Sequence, residues 1–476
     1  MEQDTYEEKY ICHDCVGEKH LKSIIKENGL VVKCSYCKND EIEGIWFSDF
    51  VDRIKIAFEQ HYVQSSENQP DNWSTSSDSW EPQGDPIIDA IMDAADIEQD
   101  IATDVQQELA AIHYDHSLAE MGEMGEFDAE SYYQIKKAED LDWQIQWADF
   151  EHILKTSARF FNKKNEELLK SIFDNIESLY TVRKRPVVRI IGPESRIMHL
   201  YRGRVFQSDI KLKIALESPD RELGPPPSEY ATAGRMNSRG ISVFYGATEP
   251  QTALAEIRPP VGCKVALARF ELKRPLKVLD LSALKLTRVT GSIFDDMYAN
   301  QLSRIMFLRN LSQRMTRPIM PDDEHSEYLT TQVIADFLAS ELKFDGIIFS
   351  SAQSKVGRNV TLFHSASRVT SIEYTEGTEI EASLMDWYDG EVAPNYTIFE
   401  HRLRIEEEQE EDSNFGLLGL QGEDWEPIDN DPRQETLSID LDSITVEHIE
   451  SVTIKSKQYN VDRLKYFIHT DEPEDV

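Results

Sequence analysis

The segment Gly234–Pro259 constrains the fold more than any other stretch of this chain. It begins with a turn rich in Gly, Asn and Ser that carries Arg235 and Arg239. In such turns side chains point toward solvent or a ligand rather than into a core. The apolar and aromatic run Ile241–Ala247 follows and predicts a buried strand that ends near Tyr245. The segment therefore predicts an arginine-bearing turn that leads into a buried strand.

A helix with an acidic residue is predicted directly after this strand. Thr248, with Gln251 three residues later, has the pattern of a capping box, and a proline occupies the first turn. Glu256 lies on the predicted helix among small apolar residues. Because burial of an unpaired carboxylate costs roughly several kcal/mol, Glu256 is either paired, with Arg258 or Arg239 as partner, or functional.

Four of the five cysteines form two CxxC pairs near the N-terminus, Cys12 with Cys15 and Cys34 with Cys37. Two pairs at this separation are typical of a four-cysteine zinc ribbon, and short apolar runs beside them predict its strands. A zinc ion closed by four thiolates serves structure or partner binding rather than catalysis. The alternative is two redox-active or incidental pairs. The isolated Cys263 is predicted to be a small core residue.

The composition limits the classes of function. Of 476 residues, 88 are acidic and 50 are basic, which gives a formal net charge of -38. Such a chain is repelled by nucleic acid and by anionic lipid, so we expect neither nucleic-acid binding nor membrane binding. The N-terminus is acidic and polar, without the features of a signal peptide, and no apolar run reaches the length of about 18 residues that a spanning helix needs. We therefore expect a soluble cytosolic protein.

We expect an α+β protein with four parts. Apolar residues recur at helical spacing from Ile87 to Tyr180, and an apolar run near Pro186 begins a mixed α/β core. The expected parts are a four-cysteine zinc ribbon at 1–45, a helical bundle at 46–185 with a polar linker at 64–86, a mixed α/β domain at 186–370, and an acidic C-terminal extension with some β structure at 371–476. Because the sequence has neither a P-loop nor a GxGxxG motif, a dinucleotide would have to be held without a Rossmann motif.

Several residues between about Ile190 and Val369 occur in an order that resembles the RES family. They are Tyr201 and Arg202, Arg235, Tyr245, Glu256, Asp345 and Gly346, Ser351, and Phe363. This family, named for Arg, Glu and Ser positions, comprises the toxins of RES–Xre toxin–antitoxin modules. The resemblance implies a core similar to ADP-ribosyltransferases and an enzyme that consumes NAD+.

The resemblance also implies roles for individual residues. Glu256 would be the catalytic carboxylate that stabilises the ribosyl cation. Arg202, also assigned to catalysis, and Arg235 would hold the pyrophosphate through their bidentate donors. Ser351 would bond the nicotinamide carboxamide or hold the catalytic carboxylate. Ser350, one residue earlier, is the alternative match to the family serine. A serine at the end of a strand is often only a turn residue.

The remaining assignments concern substrate binding. Tyr245 would stack on the positively charged nicotinamide ring, and the alternative is an ordinary aromatic residue of a strand. Tyr201 is assigned to substrate binding as well. Arg239, four residues after Arg235, could be the residue that matches the family arginine instead. The alternative interpretation of Arg239 is a solvated cation of the turn.

The region after the ribbon resembles the HEPN-type helical domain that precedes the RES domain in larger members. Nuclease forms of that domain carry an Arg-x4-6-His motif. The two matches here, Arg358 with His364 and Arg463 with His469, lie outside the predicted bundle. Ribonuclease activity is therefore not expected.

We predict an NAD+ glycohydrolase or phosphorylase that releases nicotinamide and acts as a toxin or phage-defence effector by depleting cellular NAD+. One alternative is an ADP-ribosyltransferase that modifies a protein target. Another is a non-catalytic adaptor built from the zinc ribbon and the helical region. The expected cofactor is a structural zinc ion, and NAD+ is the expected substrate. An antitoxin or regulatory protein and a second copy of the chain are left open as partners.

Overall fold

A computed structural model describes residues 8–65, 83–116, 124–157, 162–354, 357–388, 391–402 and 431–465. Most of the predicted linker at 64–86 lies outside these residues. The chain groups into two compact units. Unit 1 comprises Met1–Ile190, Thr232–Arg239 and Lys277–Ser350, and unit 2 comprises Ile191–Ala231, Gly240–Leu276 and Ser351–Val476.

The described residues contain twelve α-helices, and none of them is both long and apolar enough to span a bilayer. In chain order they are α1 (Lys19–Asn28), α2 (Phe47–His61), α3 (Ile87–Ala95), α4 (Gln99–Ile112), α5 (Leu141–Thr156), α6 (Lys163–Ile172), α7 (Asp209–Glu217), α8 (Pro219–Glu222), α9 (Pro250–Glu256), α10 (Leu281–Leu284), α11 (Tyr298–Thr316) and α12 (Glu324–Ser340).

Sixteen strands are present in the same residues. They are β1 (Tyr10–Cys12), β2 (Leu30–Val32), β3 (Ile42–Trp46), β4 (Tyr62–Gln64), β5 (Asp85–Pro86), β6 (Tyr132–Ile135), β7 (Val188–Ile191), β8 (His199–Phe206), β9 (Phe244–Ala247), β10 (Lys264–Leu272), β11 (Leu276–Asp280), β12 (Gly346–Ser350), β13 (Arg358–Leu362), β14 (Thr378–Tyr388), β15 (Glu391–Arg402) and β16 (Leu437–His448).

The N-terminal part of unit 1 is a small antiparallel sheet joined to four helices. Its strands have the order β1-β3-β2, and the predicted strands beside the cysteine pairs are thereby confirmed. The sheet shares an apolar core with α1, α2, α3 and α4, in which Ile11, Phe50, Ile54, Ile91 and Val105 are fully buried. The cysteine region is therefore part of a larger core rather than a separate module.

The helices between residues 46 and 185 form two groups in unit 1. The first group, α2 to α4, surrounds the core described above. The second group, α5 and α6, packs against α11 and α12, with Trp147 against Phe307 and Phe173 against Phe337. A single bundle was expected because helical spacing indicates which face of a helix is apolar but not which other helix covers that face. The short sheet β4-β6-β5 was not predicted.

The central sheet of unit 2 has the strand order β16-β10-β8-β9-β13. Strand β10 pairs antiparallel with the whole of β8, whereas β8 and β9 pair only at Tyr201 and Ala247. The predicted extension contributes the hairpin β14–β15 and the edge strand β16, which pairs with β10. In unit 1, strands β12, β11 and β7 lie side by side, and β11 and β12 are parallel.

The two faces of the unit 2 sheet are covered differently. Residues directly opposite each other in an antiparallel pair share a face, and neighbours within a strand alternate. Ala253 of α9 packs in one apolar cluster with Tyr201, Ala247 and Leu267, so α9 lies on the face that these residues share. We call this the α9 face. Phe244, which contacts Phe270, lies on the opposite face.

Candidate active site and cysteine cluster

The carboxylate of Glu256 is held by the hydroxyl of Ser351. Glu256 is the last residue of α9, and Ser351 directly follows β12 in the chain. The Ser351 Oγ donates a hydrogen bond to Glu256 Oε1 over 2.5 Å. Both side chains are partly buried. Two of the three residues that the sequence assigned to catalysis, on separate segments of the chain, therefore meet in the structure.

The direction of this hydrogen bond is fixed by the main chain. The Ser351 Oγ accepts hydrogen bonds from the amides of Gln353, at 3.0 Å, and Ser354, at 2.9 Å. A hydroxyl has one proton and two acceptor lone pairs. Since both lone pairs are engaged by amides, the proton is directed to Glu256. Ser351 is thus a donor of fixed orientation toward the carboxylate.

The start of α9 differs from its prediction. The N-cap is Glu249 and not Thr248, and no side chain caps the helix. Thr248 instead donates from its amide to Arg358 O at 3.0 Å, which keeps it with the strands. Pro250 occupies the first turn, as predicted. The capping-box prediction was wrong because the threonine is held by β13.

The preceding strand is shorter than its prediction. It begins at Phe244 rather than Ile241. Ser242 is engaged outside the sheet: its hydroxyl donates to Pro226 O at 2.6 Å, and its carbonyl oxygen lies 2.9 Å from His364 Nδ1. Because these bonds take the place of hydrogen bonds to a neighbouring strand, β9 begins only at Phe244.

Glu256 takes part in no ion pair among the described residues, although the sequence left pairing with Arg258 or Arg239 open. Arg258 is exposed and has a positive φ of 45°. With the Gln353 amide oriented so that its oxygen faces the guanidinium, Arg258 donates to it from Nε at 3.2 Å and from Nη2 at 2.9 Å. Arg258 therefore binds the loop after Ser351 instead of the carboxylate.

Thr252 is a site residue that the sequence reasoning missed. It lies one turn before Glu256 on α9 and is fully buried, and its Oγ1 has no hydrogen-bond partner among the described residues. A Cβ on Gly357 would lie 2.0 Å from this oxygen, so the closing residue of the Ser351 loop must be glycine. The i, i+4 spacing places Thr252 on the same face of the helix as Glu256 and was the only sequence signal for this residue.

Tyr201 and Tyr245 lie on the α9 face. Tyr201 pairs with Ala247 in the register, and Tyr245 is two residues from Ala247 on the same strand. Tyr245 lies opposite Thr361, whose buried Oγ1 has no partner among the described residues. Both tyrosines are partly buried. The structure thus brings the two predicted aromatic residues to the face that carries Glu256.

Arg202 lies on the opposite face by strand alternation. Its Nε donates to Leu223 O at 3.0 Å and its Nη1 donates to Tyr245 O at 2.8 Å, and the guanidinium lies over the Phe244 ring at 5.5 Å. Among the described residues no carboxylate pairs with it. Desolvation lowers the pKa of Arg202 to about 10, so the group is still cationic at neutral pH. The structure attaches Arg202 to the main chain of Tyr245 but does not bring it into contact with Glu256.

Arg235 and Arg239 belong to unit 1. Arg235 donates to the carbonyl oxygens of Met315, at 2.9 Å, and Arg317, at 2.8 Å, and lies over the Tyr328 ring at 5.3 Å. Arg239 is exposed. The side chain of Arg235 is therefore anchored to the end of α11.

The four N-terminal cysteines converge as the spacing predicted. Their sulfur atoms all lie within 4.8 Å of one another, with Cys12 Sγ 3.6 Å from both Cys15 Sγ and Cys37 Sγ, and Cys15 Sγ 3.7 Å from Cys34 Sγ. A tetrahedral ion with metal–sulfur bonds of about 2.3 Å would separate its sulfur ligands by about 3.8 Å. The cluster therefore has the dimensions of a four-thiolate metal site.

Main-chain amides point at two of these sulfur atoms. The amides of Tyr36 and Cys37 point at Cys34, and those of Asp14 and Cys15 point at Cys12. These and other hydrogen bonds lower the pKa of Cys34 to about 7 against the effect of burial, whereas burial raises that of Cys12 to about 11. Because thiolates crowd one another, a bound cation would favour their joint deprotonation. The donor set fits a metal ion.

Comparison with known protein families identifies part of the chain. The RES domain model matches residues 211–382. Residues 211–382 form a RES domain. Within the RES domain lie Arg235, Tyr245, Glu256 and Ser351, whereas Tyr201 and Arg202 precede the match. RES-domain toxins are, in general, enzymes that act on NAD+.

No curated protein sequence matches this chain. Among solved structures, the chain is similar to one in the "Crystal structure of the M.tuberculosis MbcT-MbcA toxin-antitoxin complex". The identity is 13%, the match covers 43% of this chain and 84% of that chain, and the TM-score is 0.20. A likeness of this strength supports no inference about function.

Proposed function

We propose that this protein cleaves the bond between nicotinamide and ribose in NAD+, with Glu256 as the catalytic carboxylate. The observation that carries the proposal is the hydrogen bond from Ser351 to Glu256, inside a RES domain. This bond fixes one carboxylate oxygen of Glu256. The carboxylate has no paired cation among the described residues. A carboxylate held in this way can stabilise positive charge that develops next to it.

The chemistry requires only one carboxylate. Most glycoside hydrolases need a second one as general acid for the leaving alcohol. Nicotinamide departs from a pyridinium as a neutral base and needs no proton. What remains is an oxocarbenium-like ribosyl centre, and the negative charge of Glu256 favours its formation. The same carboxylate can orient an attacking nucleophile or accept its proton.

The other assigned residues supply substrate binding in this proposal. Tyr245 and Tyr201, on the α9 face, offer aromatic surfaces to the nicotinamide and ribose part of the substrate. Arg202 supports Tyr245 through its main-chain carbonyl and contributes positive charge. Arg235 and Arg239 are assigned to the pyrophosphate because two arginines match its charge and geometry. Substitution of each residue tests its assignment.

The acceptor of ADP-ribose decides the type of enzyme. We propose water or phosphate, which would make the protein a glycohydrolase or a phosphorylase. Transfer to a protein side chain is the alternative within the same site. Loss of NAD+ would make the protein toxic to its own cell, consistent with a role as a cytosolic toxin or phage-defence effector restrained by an antitoxin or regulatory protein.

The N-terminal region has a structural role in the proposal. We propose that Cys12, Cys15, Cys34 and Cys37 bind Zn2+, since four thiolates at these distances suit its tetrahedral preference. The site would be closed, with no position left for a substrate. The relation of the helices that follow to HEPN domains stays a prediction.

One experiment tests the proposal and separates its forms. The full-length protein is incubated with NAD+, with and without phosphate, and free nicotinamide and the ribosyl products are identified by chromatography and mass spectrometry. Nicotinamide with ADP-ribose indicates a glycohydrolase, and nicotinamide with a phosphorylated ADP-ribose indicates a phosphorylase. ADP-ribose attached to protein indicates a transferase. Intact NAD+ under all conditions would support the adaptor alternative.

A further inference from the structure

The loop Thr232–Arg239 is held in place by two helices of unit 1. From α12, Thr331 Oγ1 donates to Arg235 O at 2.6 Å, and Gln332 Nε2 donates to Gly234 O at 2.8 Å. The ring of Tyr328, also on α12, supports the Arg235 guanidinium. Within the loop, Gly234 and Asn237 exchange two main-chain bonds, and Asn237 Nδ2 donates to Thr232 O at 2.9 Å and to Ser238 O at 3.2 Å. The bonds described above attach this turn to the two helices. Its conformation therefore depends on α11 and α12.

Arg235 caps the C-terminal end of α11. The last carbonyl groups of a helix have no partner within the helix and carry partial negative charge. Arg235 donates to two of them, Met315 O and Arg317 O. Arg317 is the C-cap residue, with an extended backbone. The position of the Arg235 guanidinium is thus set by where α11 ends.

Helix α5, from the predicted N-terminal bundle, packs on the same two helices. Trp147 is buried against Phe307 of α11, with ring centres 5.5 Å apart. The N-cap Asp140 accepts a hydrogen bond from Asn310 at 2.8 Å, and Gln144 accepts one from Arg314 at 2.5 Å. These contacts fix the angle and register of α11 against α5.

A chain of charged contacts continues from α5 to the loop. Lys155 Nζ lies 3.1 Å from one oxygen of Glu327, and Arg317 Nη2 lies 2.8 Å from the other. The carbonyl of the same Arg317 accepts the bond from Arg235. Glu327 thus binds one cation from α5 and one from the α11 cap. Three consecutive contacts therefore connect Lys155 to Arg235.

We propose that Lys155 and Glu327 are positioning residues for Arg235, so that α5 sets the dinucleotide affinity of the RES domain. The inference rests on the proposed role of Arg235 in binding the substrate. It gives the N-terminal region a function in this enzyme: it supports a binding residue through the end of α11. Neither Lys155 nor Glu327 is expected to contact substrate or take part in bond cleavage.

The prediction concerns binding more than chemistry. Removal of an interaction that is equal in the ground state and the transition state raises KM and leaves kcat unchanged. We expect Lys155→Ala to raise the KM for NAD+ about threefold and Glu327→Ala about tenfold, because Glu327→Ala breaks two links and exposed ion pairs are individually weak. Lys155→Arg retains the charge and is expected to restore the wild-type KM.

The matched control is Lys164→Ala. Lys164 at the start of α6 pairs with Asp149 on α5, so its ion pair also involves α5 but does not reach α11 or α12. Hydrogen exchange of the amides of Thr232–Arg239 provides a readout that needs no activity. The proposal predicts faster exchange in this loop for Lys155→Ala and Glu327→Ala, and wild-type exchange for Lys164→Ala, at equal thermal stability.

The outcomes are distinguishable. Exchange and KM for Lys155→Ala and Glu327→Ala equal to those of Lys164→Ala would overturn the proposal. A loss of kcat at unchanged KM would also overturn it, since that would place Glu327 in the chemical step. If wild-type protein releases no nicotinamide, the proposed function fails, and the exchange measurement alone then decides whether α5 positions the loop.

Discussion

The cysteine cluster and the Glu256–Ser351 pair both bring reactive side chains together, but they do so in opposite ways. In the cluster, four sulfur atoms from two CxxC turns converge on one centre, and main-chain amides point at Cys12 and Cys34. Glu256 instead stands at the end of a short helix, partly exposed, with one oxygen held by a hydroxyl. With a metal bound, the first arrangement would leave no position for a substrate, whereas the second leaves a carboxylate oxygen available.

This difference indicates a division of labour between the two regions. The cluster lies beside the core formed with α2 to α4, and Cys15 packs against it. Loss of a bound metal is therefore expected to cost stability. The buried hydroxyls of Thr252, on the helix that carries Glu256, and of Thr361, opposite Tyr245, have no hydrogen-bond partner among the described residues. Unsatisfied buried groups are a feature of sites that trade stability for function. Loss of the pair is expected to cost activity.

Removal of the metal should have the largest effect on stability. Structural zinc contributes about 10 kcal/mol or more of apparent folding free energy in small zinc modules. Here Cys34→Ser is expected to abolish tight zinc binding and lower the melting temperature of the N-terminal region. Cys263→Ser, at a buried cysteine outside the cluster, is the matched control. Equal zinc content and equal melting temperatures in the two variants would contradict a stabilising role of the cysteine cluster.

Substitution of Ser351 should affect activity more than folding. Ser351→Ala removes the donor that orients Glu256, and a hydrogen bond to a charged group contributes about 1.5–3 kcal/mol. We expect nicotinamide release to fall about tenfold or more, with a small decrease in melting temperature because the amides of Gln353 and Ser354 lose their acceptor. The adjacent Ser350, which donates to Ser282 at 3.2 Å, supplies the control Ser350→Ala. A larger loss of activity in Ser350→Ala than in Ser351→Ala would assign the role of the family serine to Ser350 instead.

A second carboxylate of unit 2 should behave in the opposite way to Glu256. Arg433 holds the pKa of Asp431 at about 2, below its ordinary 3.8. A lowered carboxyl pKa adds stability above pH 3.8 that is lost as the pH falls through 2. Asp431→Asn should therefore lower the free energy of unfolding by about 1–2 kcal/mol at neutral pH. Denaturation at pH 7 and pH 2.5, with nicotinamide release at pH 7, tests whether only stability changes.

Thr252→Val should give the smallest effect. The substitution removes a buried hydroxyl that has no partner among the described residues and keeps the shape of the side chain. Because an unsatisfied buried hydroxyl is costly, we expect stability to rise by about 1 kcal/mol with little change in turnover. Chemical denaturation measures the first quantity. A large loss of turnover would show that this hydroxyl belongs to the catalytic machinery.

The sequence predicted the local elements better than their partners. Strand β9 and helix α9 follow from the apolar pattern of the segment Gly234–Pro259. The cysteine cluster follows from the spacing of ligands on two tight turns. The α9 prediction failed only at its cap, because Thr248 is bound by another strand.

Contacts between distant segments could not be read from patterning. The engagement of both Ser351 lone pairs depends on the fold of the following loop, and the need for glycine at position 357 depends on Thr252 across that loop. The packing of α5 on α11 and α12 likewise needs three segments far apart in sequence. Two predicted phosphate-binding arginines, Arg202 and Arg235, each donate to two carbonyl groups, a use that residue type alone does not reveal.

The most direct test compares two glutamates of the same helix. Glu256 ends α9, and Glu249, exposed at its N-cap, begins it. Nicotinamide release from NAD+ is measured for the wild-type protein, Glu256→Gln and Glu249→Gln at equal protein concentration and confirmed equal folding. We predict a loss of about a thousandfold for Glu256→Gln and wild-type release for Glu249→Gln. Equal release by the two variants would contradict the assignment of Glu256 as the catalytic carboxylate.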